Sequence, residues 1–183
     1  KRGSYLLYDC VEVREEFGED GDVARRLEAY YPRVNEHNKK AFADRKPVPA
    51  GPNDPVYLGV EVCSSCHQEE RKFWETTKHA HAYETLSSDH KEFNLDCVSC
   101  HVTGYEKPGG STVTHVEKFT DVQCETCHGP GSAHVANPGN LSLIRRTPDA
   151  NLCASSCHHP PHVGADWNVA AAWPRIIGPG HGR

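Results

Sequence analysis

Apolar residues along this chain come in short, separated groups, and each group predicts a modest element. SYLLYDCVEV (4–13) alternates in part and is rich in β-prone residues, so it reads as one strand. From 20 to 43, Val23, Leu27, Tyr30, Val34 and Phe42 recur near helical spacing behind Asp20 or Asp22 as N-cap, which predicts an amphipathic helix. Pro32 is expected to kink or split it. KPVPAGPNDP (46–55) reads as an extended linker. Beyond Tyr57, the stretch Gln68–Leu86 has no Gly or Pro and predicts the best helix of the second half. Residues 94–104 read as turn-rich, 107–119 as a glycine turn leading into a short strand, and 129–140 as loop. After Pro160, prolines leave room only for short helical pieces, near 165–173.

The periodic segments alone would bury a thin core. The chain has 183 residues and an apolar fraction of 37%, below the about 45–50% (Gly included) of an ordinary globular domain, and its mean hydropathy is −0.68. The net charge of −5 disfavours nucleic acid, which asks for a basic footprint. No apolar run is long enough to span a membrane. With no signal peptide and no methionine, the sequence reads as a mature protein or a fragment whose leader was removed.

Cysteine and histidine placement changes the picture. Cys63, Cys66 and His67 form C-x-x-C-H, the attachment signal for c-type haem. The pattern recurs at Cys97, Cys100 and His101 and at Cys124, Cys127 and His128, and a longer version, C-x-x-x-C-H, stands at Cys153, Cys157 and His158. Paired thiols take the two vinyl groups of the porphyrin, and the adjacent imidazole turns under the ring to bind iron. Zinc ribbons and redox dithiols also use C-x-x-C, but without a histidine after the second cysteine each time. For the longer fourth motif a disulfide or a zinc half-site competes, and its even spacing from the third favours haem. Four haems would supply the apolar surface that the side chains lack. Cys10 is left over, a buried thiol or an intermolecular disulfide.

The second iron ligand is constrained next. Methionine ligation is impossible, so histidine is expected and low potentials with it. Of 13 histidines, those outside the motifs are His37, His79, His81, His90, His115, His134, His159, His162 and His181. In a continuous helix, His67 and His79 would lie roughly 18 Å apart along the axis, so His79 must reach a haem other than the one beside it. His79 and His81 point to different sides and serve different irons. His134 follows His128 by a segment that reaches at most about 20 Å, too tight to round a haem edge, so it caps a neighbour. His37, His90 and His159 read as ordinary surface or loop histidines. Trp74, Tyr83 and Phe93 read as packing residues before electron relays.

At these residues the chain resembles the tetrahaem cytochrome c-554 family, whose name comes from an electron carrier. The likeness rests on CSSCH followed by WETTKHAHAYETL, on DCVSCHVTGY with a later GG, on VQCETCHGPG with His134 beyond, and on a final haem site, over about residues 59–158. It implies a mostly helical fold with extensive loops, organised around a covalent cluster of four haem c groups with closely stacked pairs. It also implies ligand pairs His67 with His134 and His158 with His79. The His128 iron would take His162, ahead of His181. In that carrier the second haem is five-coordinate; here His115 or His81 stands near His101 as a partner.

The expected organisation is an N-terminal strand–helix extension (1–45), a Pro-rich linker (46–56) and a tetrahaem domain (57–183). The expected activity is electron transfer to and from redox partner proteins, with mainly bis-histidine, low-potential haems, in the periplasm or at the cell surface. Two other readings stand beside it: a reductase or oxidase of a small nitrogen or sulfur compound at a five-coordinate haem, and a subunit of an extracellular filament or the electron-transfer tail of a larger protein. The N-terminal arm, too small for a core of its own, motivates the last, through a homo-oligomer.

Overall fold

The structure is a computed structural model, and it describes residues 15–160, 162–164 and 166–178. The expected strand at 4–13, Cys10 and His181 lie outside the described residues. Within them the chain is mostly helical, in short pieces joined by long loops.

Helix α1 (Gly21–Ala41) starts where Asp20 accepts hydrogen bonds from the amides of Asp22 and Val23. It runs through Pro32 as one helix rather than splitting. Its C-terminal half docks by a reciprocal clamp: the Phe93 amide donates to Asn35 Oδ1 at 2.9 Å, and Asn38 Nδ2 donates to the Phe93 carbonyl at 2.9 Å. Asn35 and Asn38 are three apart and therefore share a face. The N-terminal half leaves Val23, Leu27 and Tyr30 exposed.

Residues 42–57 follow without regular structure, but their backbone is tied down. The Arg45 and Phe42 carbonyls accept from the Thr112 and Thr114 hydroxyls at 3.0 and 2.7 Å, and the Val48 carbonyl accepts from the Gly109 amide at 2.8 Å. Six short helices then carry the motifs and most of their neighbours: α2 (Val60–Ser64), α3 (Gln68–Trp74), α4 (Ala82–Ser88), α5 (Leu95–His101), α6 (Cys124–His128) and α7 (Ser132–Ala136). Two more, α8 (Asn151–Ser156) and α9 (Val169–Ala172), complete the described chain.

Four expectations need correcting. The helix predicted over 68–86 is broken: α3 ends at Trp74, a 3-10 turn covers Lys78–His81, and α4 begins at Ala82. Thr76 and Thr77 donate their hydroxyls back to the Phe73 and Trp74 carbonyls at 2.7 Å, the local bonding by which threonine competes with helix. The segment 94–104 contains a real helix, α5, because Asn94 caps it by accepting from the Asp96 amide. Residues 132–136, expected as loop, form α7. The stretch 107–119 makes single β-bridges, Tyr105 with Ser111 and Thr112 with His115, not a strand.

The core is small, as composition predicts. Leu86, Val98, Val102 and Val113 are buried together, with Phe42, Tyr83, Phe93, Tyr105 and Val116 packed around them. Tyr83 and Phe93 thus serve the protein core. Each fully buried valine is worth about 2 kcal/mol, so this cluster is a modest anchor. Burial also takes in polar side chains, Thr103, Ser111, Thr112, Gln123 and Glu125, all of them hydrogen-bonded. At Gly110 a side chain is impossible, since a Cβ there would lie 2.0 Å from the Gly104 carbonyl oxygen.

Candidate haem-binding site

Each motif sits on a short helix, so its cysteines lie near one another on one face. Cys63 is on α2, Cys97 and Cys100 on α5, Cys124 and Cys127 on α6, and Cys153 on α8. The motif histidines stand at or just beyond the helix ends.

The histidines meet in twos. His67 and His134 have ring centres 6.4 Å apart, His79 and His158 6.1 Å, and His101 and His162 5.6 Å. These separations are too long for stacked rings. They match two imidazoles held on opposite sides of one metal: bonds of about 2.0 Å put the nitrogens about 4 Å and the ring centres about 6 Å apart. Among the described residues, no three of His, Cys, Asp or Glu converge as a bare-ion site.

Burial and charge agree with the pairing. Burial holds the His79 pKa below its ordinary value, and the neighbouring His158 adds to this; His158 is lowered by burial and by His162. Both rings therefore stay neutral, the form that binds a metal. His134 Nδ1 and His158 Nδ1 are buried without a hydrogen-bond partner, an exception to the rule that buried polar atoms are satisfied. Residues with unsatisfied ring nitrogens, facing imidazoles and paired thiols fit a covalently held haem.

The other motif histidines are oriented from behind. His101 Nδ1 lies 2.6 Å from the Ala82 carbonyl oxygen, and His128 Nδ1 lies 2.6 Å from that of Arg145. His67 Nδ1 has only a longer approach to the Glu70 carboxylate, 3.9 Å, outside hydrogen-bond range. An acceptor at Nδ1 fixes the tautomer that presents Nε2 to a metal. Trp167 stacks on His158 instead, with ring centres 4.5 Å apart and planes 8° from parallel.

His79 is placed by a two-step clamp. Trp74 Nε1 donates to the Val122 carbonyl at 2.9 Å, and the Val122 amide donates to the His79 carbonyl at 3.0 Å. His134 is placed by Glu125, which stands between the cysteines of the third motif. The Glu125 carboxylate is 2% exposed and accepts from the amides of Leu58, Gly59 and Gly131 at 3.0, 2.8 and 2.7 Å. Gly59 leads into α2 with φ +85° and Gly131 leads into α7, so one side chain joins the helix of Cys63 to the helix of His134. Spacing gave no sign of Glu125, Val122 or Trp167; the acidic residue inside CETCH was the one visible hint.

Two expected partners lie elsewhere. His81 Nε2 is 3.1 Å from the Glu75 carbonyl oxygen on an exposed turn. His115 Nδ1 is 3.2 Å from the Thr114 hydroxyl and 3.3 Å from that of Thr112. The structure puts His162 opposite His101, in place of His115 or His81, and so takes His162 away from His128. The loop after α8 is short, and it returns the chain to α5, where Cys100 Sγ lies 3.5 Å from the Ser156 carbonyl oxygen.

The motif cysteines also meet across sites. Cys63 and Cys124 share a hydrogen bond, which raises the Cys63 pKa and lowers that of Cys124. Cys100 and Cys157 are bonded likewise. Burial pushes the Cys127 thiol up to about 11 and Cys157 up to about 12. Inside the closed fold neither is a ready nucleophile, since the thiolate is the reactive form.

Helical motif carriers, paired thiols and facing imidazoles define a c-type cytochrome. The comparisons with known proteins agree. The family model described as cytochrome c554 and c-prime matches residues 62–129. Cytochrome c-554 of Nitrosomonas europaea is 36% identical over 94 residues, covering 43% of this chain and 40% of that protein. The chain thus spans about two fifths of the curated relative it matches. No solved structure matches. Over residues 62–129 the chain is thus similar to the cytochrome c554 and c-prime family.

Proposed function

We propose that the chain is a tetrahaem electron carrier whose irons are held mainly by two histidines each. The observation that carries this reading is the set of imidazole pairs at 5.6–6.4 Å. Haem c, when bound, supplies an iron that alternates between ferric and ferrous states at low potential. The cysteines named above would hold the four groups, with His67 and His134, His79 and His158, and His101 and His162 as histidine pairs and His128, with His181 as the expected second histidine, on the remaining iron.

The chain's own part is to fix these groups in a dry, preformed arrangement. Cys63 against Cys124, and Cys100 against Cys157, bring the attachment points of separate motifs into contact. His162 opposite His101 supports a closed iron at the site that is open in the carrier the family is named for. That favours electron transfer over chemistry on a small nitrogen or sulfur compound, which needs an open position and an acid beside it. We place the protein outside the cytoplasmic membrane, where haem c is attached in bacteria and archaea; no described helix is long and apolar enough to cross a membrane.

The mass of the purified protein, with the haem stain of its tryptic peptides, tests the number of sites: four are expected. Low-spin spectra in both oxidation states and no binding of carbon monoxide to the reduced protein support the carrier. A high-spin signal in the oxidised protein, together with carbon monoxide binding to the reduced protein, would favour the enzyme.

A second reading has its own observation. Val23, Leu27 and Tyr30 form an exposed apolar stripe along the N-terminal half of α1, with Phe17 exposed in the turn before it, a surface suited to a second copy or a larger partner. Sedimentation across a dilution series tests it; a monomer at every concentration counts against self-assembly.

A further inference from the structure

We propose that Asp121 sets the donor strength of His101, and with it the potential of the haem on Cys97 and Cys100, by acting through the peptide group between Ala82 and Tyr83. This rests on the reading of that motif as a haem site.

One peptide unit connects the two side chains. Its carbonyl, on Ala82, accepts from His101 Nδ1 at 2.6 Å, and its N–H, on Tyr83, donates to Asp121 Oδ1 at 2.8 Å. A peptide group is a resonance-polarised dipole. A carboxylate at the N–H end draws positive charge toward itself and leaves the carbonyl oxygen more negative, so the second hydrogen bond strengthens the first. A stronger acceptor at Nδ1 gives the imidazole more anionic character and makes its other nitrogen a better donor to ferric iron.

The carboxylate is held in place from its own backbone. The Asp121 amide donates to the His101 carbonyl at 3.0 Å, and its carbonyl accepts from the Thr103 hydroxyl at 2.9 Å. Its φ is +74°, a conformation that non-glycine residues other than Asn and Asp seldom adopt. Both ends of the relay are thus fixed to the same end of α5. One group competes at the carbonyl: the Thr85 hydroxyl donates to Ala82 O at 2.7 Å and lies 3.3 Å from His101 Nδ1. Among the motif histidines the contrast is His158, whose Nδ1 is buried with no acceptor.

The two neighbours predict shifts of opposite sign. Asp121→Asn keeps an acceptor for Tyr83 and tolerates the positive φ, but removes the charge. It should shift the one-electron equilibrium of a single haem toward the reduced state by about threefold or more, roughly 30 mV. Thr85→Val frees Ala82 O of its second donor and should shift the same haem the other way by less. Midpoints are read by spectroelectrochemistry on the fully loaded protein, with the affected haem identified by its own low-spin resonance. Haem on the Cys97–Cys100 peptide with unchanged midpoints in both variants overturns the relay alone. Wild-type protein without haem on that peptide overturns the site reading and the relay together. Should Asp121→Asn fail to fold, Thr85→Val decides by itself: a shift toward the oxidised state supports the relay, and no shift refutes it.

Discussion

Two motif helices of similar length, α5 and α8, hold their histidines in opposite ways. Helix α5 is capped by Asn94 and buries Val98 completely, and its His101 is aimed by a hydrogen bond to Ala82. Helix α8 has no buried residue, and Asp149 Oδ1 accepts from its first amide, that of Asn151, at 2.9 Å. Its His158 leans on the flat face of Trp167 while its Nδ1 finds no acceptor. On one side the polypeptide builds a core and then presents a ligand from it. On the other, the ligand is presented from a helix that buries no residue of its own.

The largest expected effect comes from removing the attachment points. Cys153→Ala with Cys157→Ala should abolish amide-exchange protection across 151–178, by 100-fold or more, while leaving α5 protected. The matching pair Cys97→Ala and Cys100→Ala should leave α5 helical around Val98. Equal loss of protection in the two double variants would erase the distinction.

Smaller changes sharpen it. Val98→Ala creates a cavity in the cluster of Leu86, Val98, Val102 and Val113 and should cost about 2 kcal/mol in denaturant unfolding of the loaded protein. Leu152→Ala, on half-buried α8, should cost under about 1 kcal/mol by the same measurement. Asn94→Ala removes a cap and should cost about 1 kcal/mol. Trp167→Ala should leave unfolding nearly unchanged, yet loosen His158 by about 1 kcal/mol. The readout is a rise in the high-spin fraction of one haem as temperature increases.

The same divide explains what could be read from sequence. The paired cysteines and the histidine that follows each pair stand out in the sequence because their spacing is local. α1 was legible because Asp20 and the apolar repeat act within a few residues. His79 reaching away from His67 was also anticipated, although the continuous helix used to infer it does not exist: Thr76 and Thr77 end α3 first. His162 opposite His101 was not legible. Its placement depends on how α8 returns to α5, and no local pattern encodes that path. Ala82 and Arg145 were invisible for a different reason, since they act through backbone carbonyls that any residue would supply.

Glu125 has a bearing on how such a chain matures. Its carboxylate closes onto Leu58 and Gly59 on one side and Gly131 on the other. A chain that emerges from its N-terminus therefore exposes Cys63 and Cys66 well before it can tie this knot. During that interval the helix of Cys63 is not yet joined to the helix of His134, so His67 meets its facing imidazole only after Gly131 has been made.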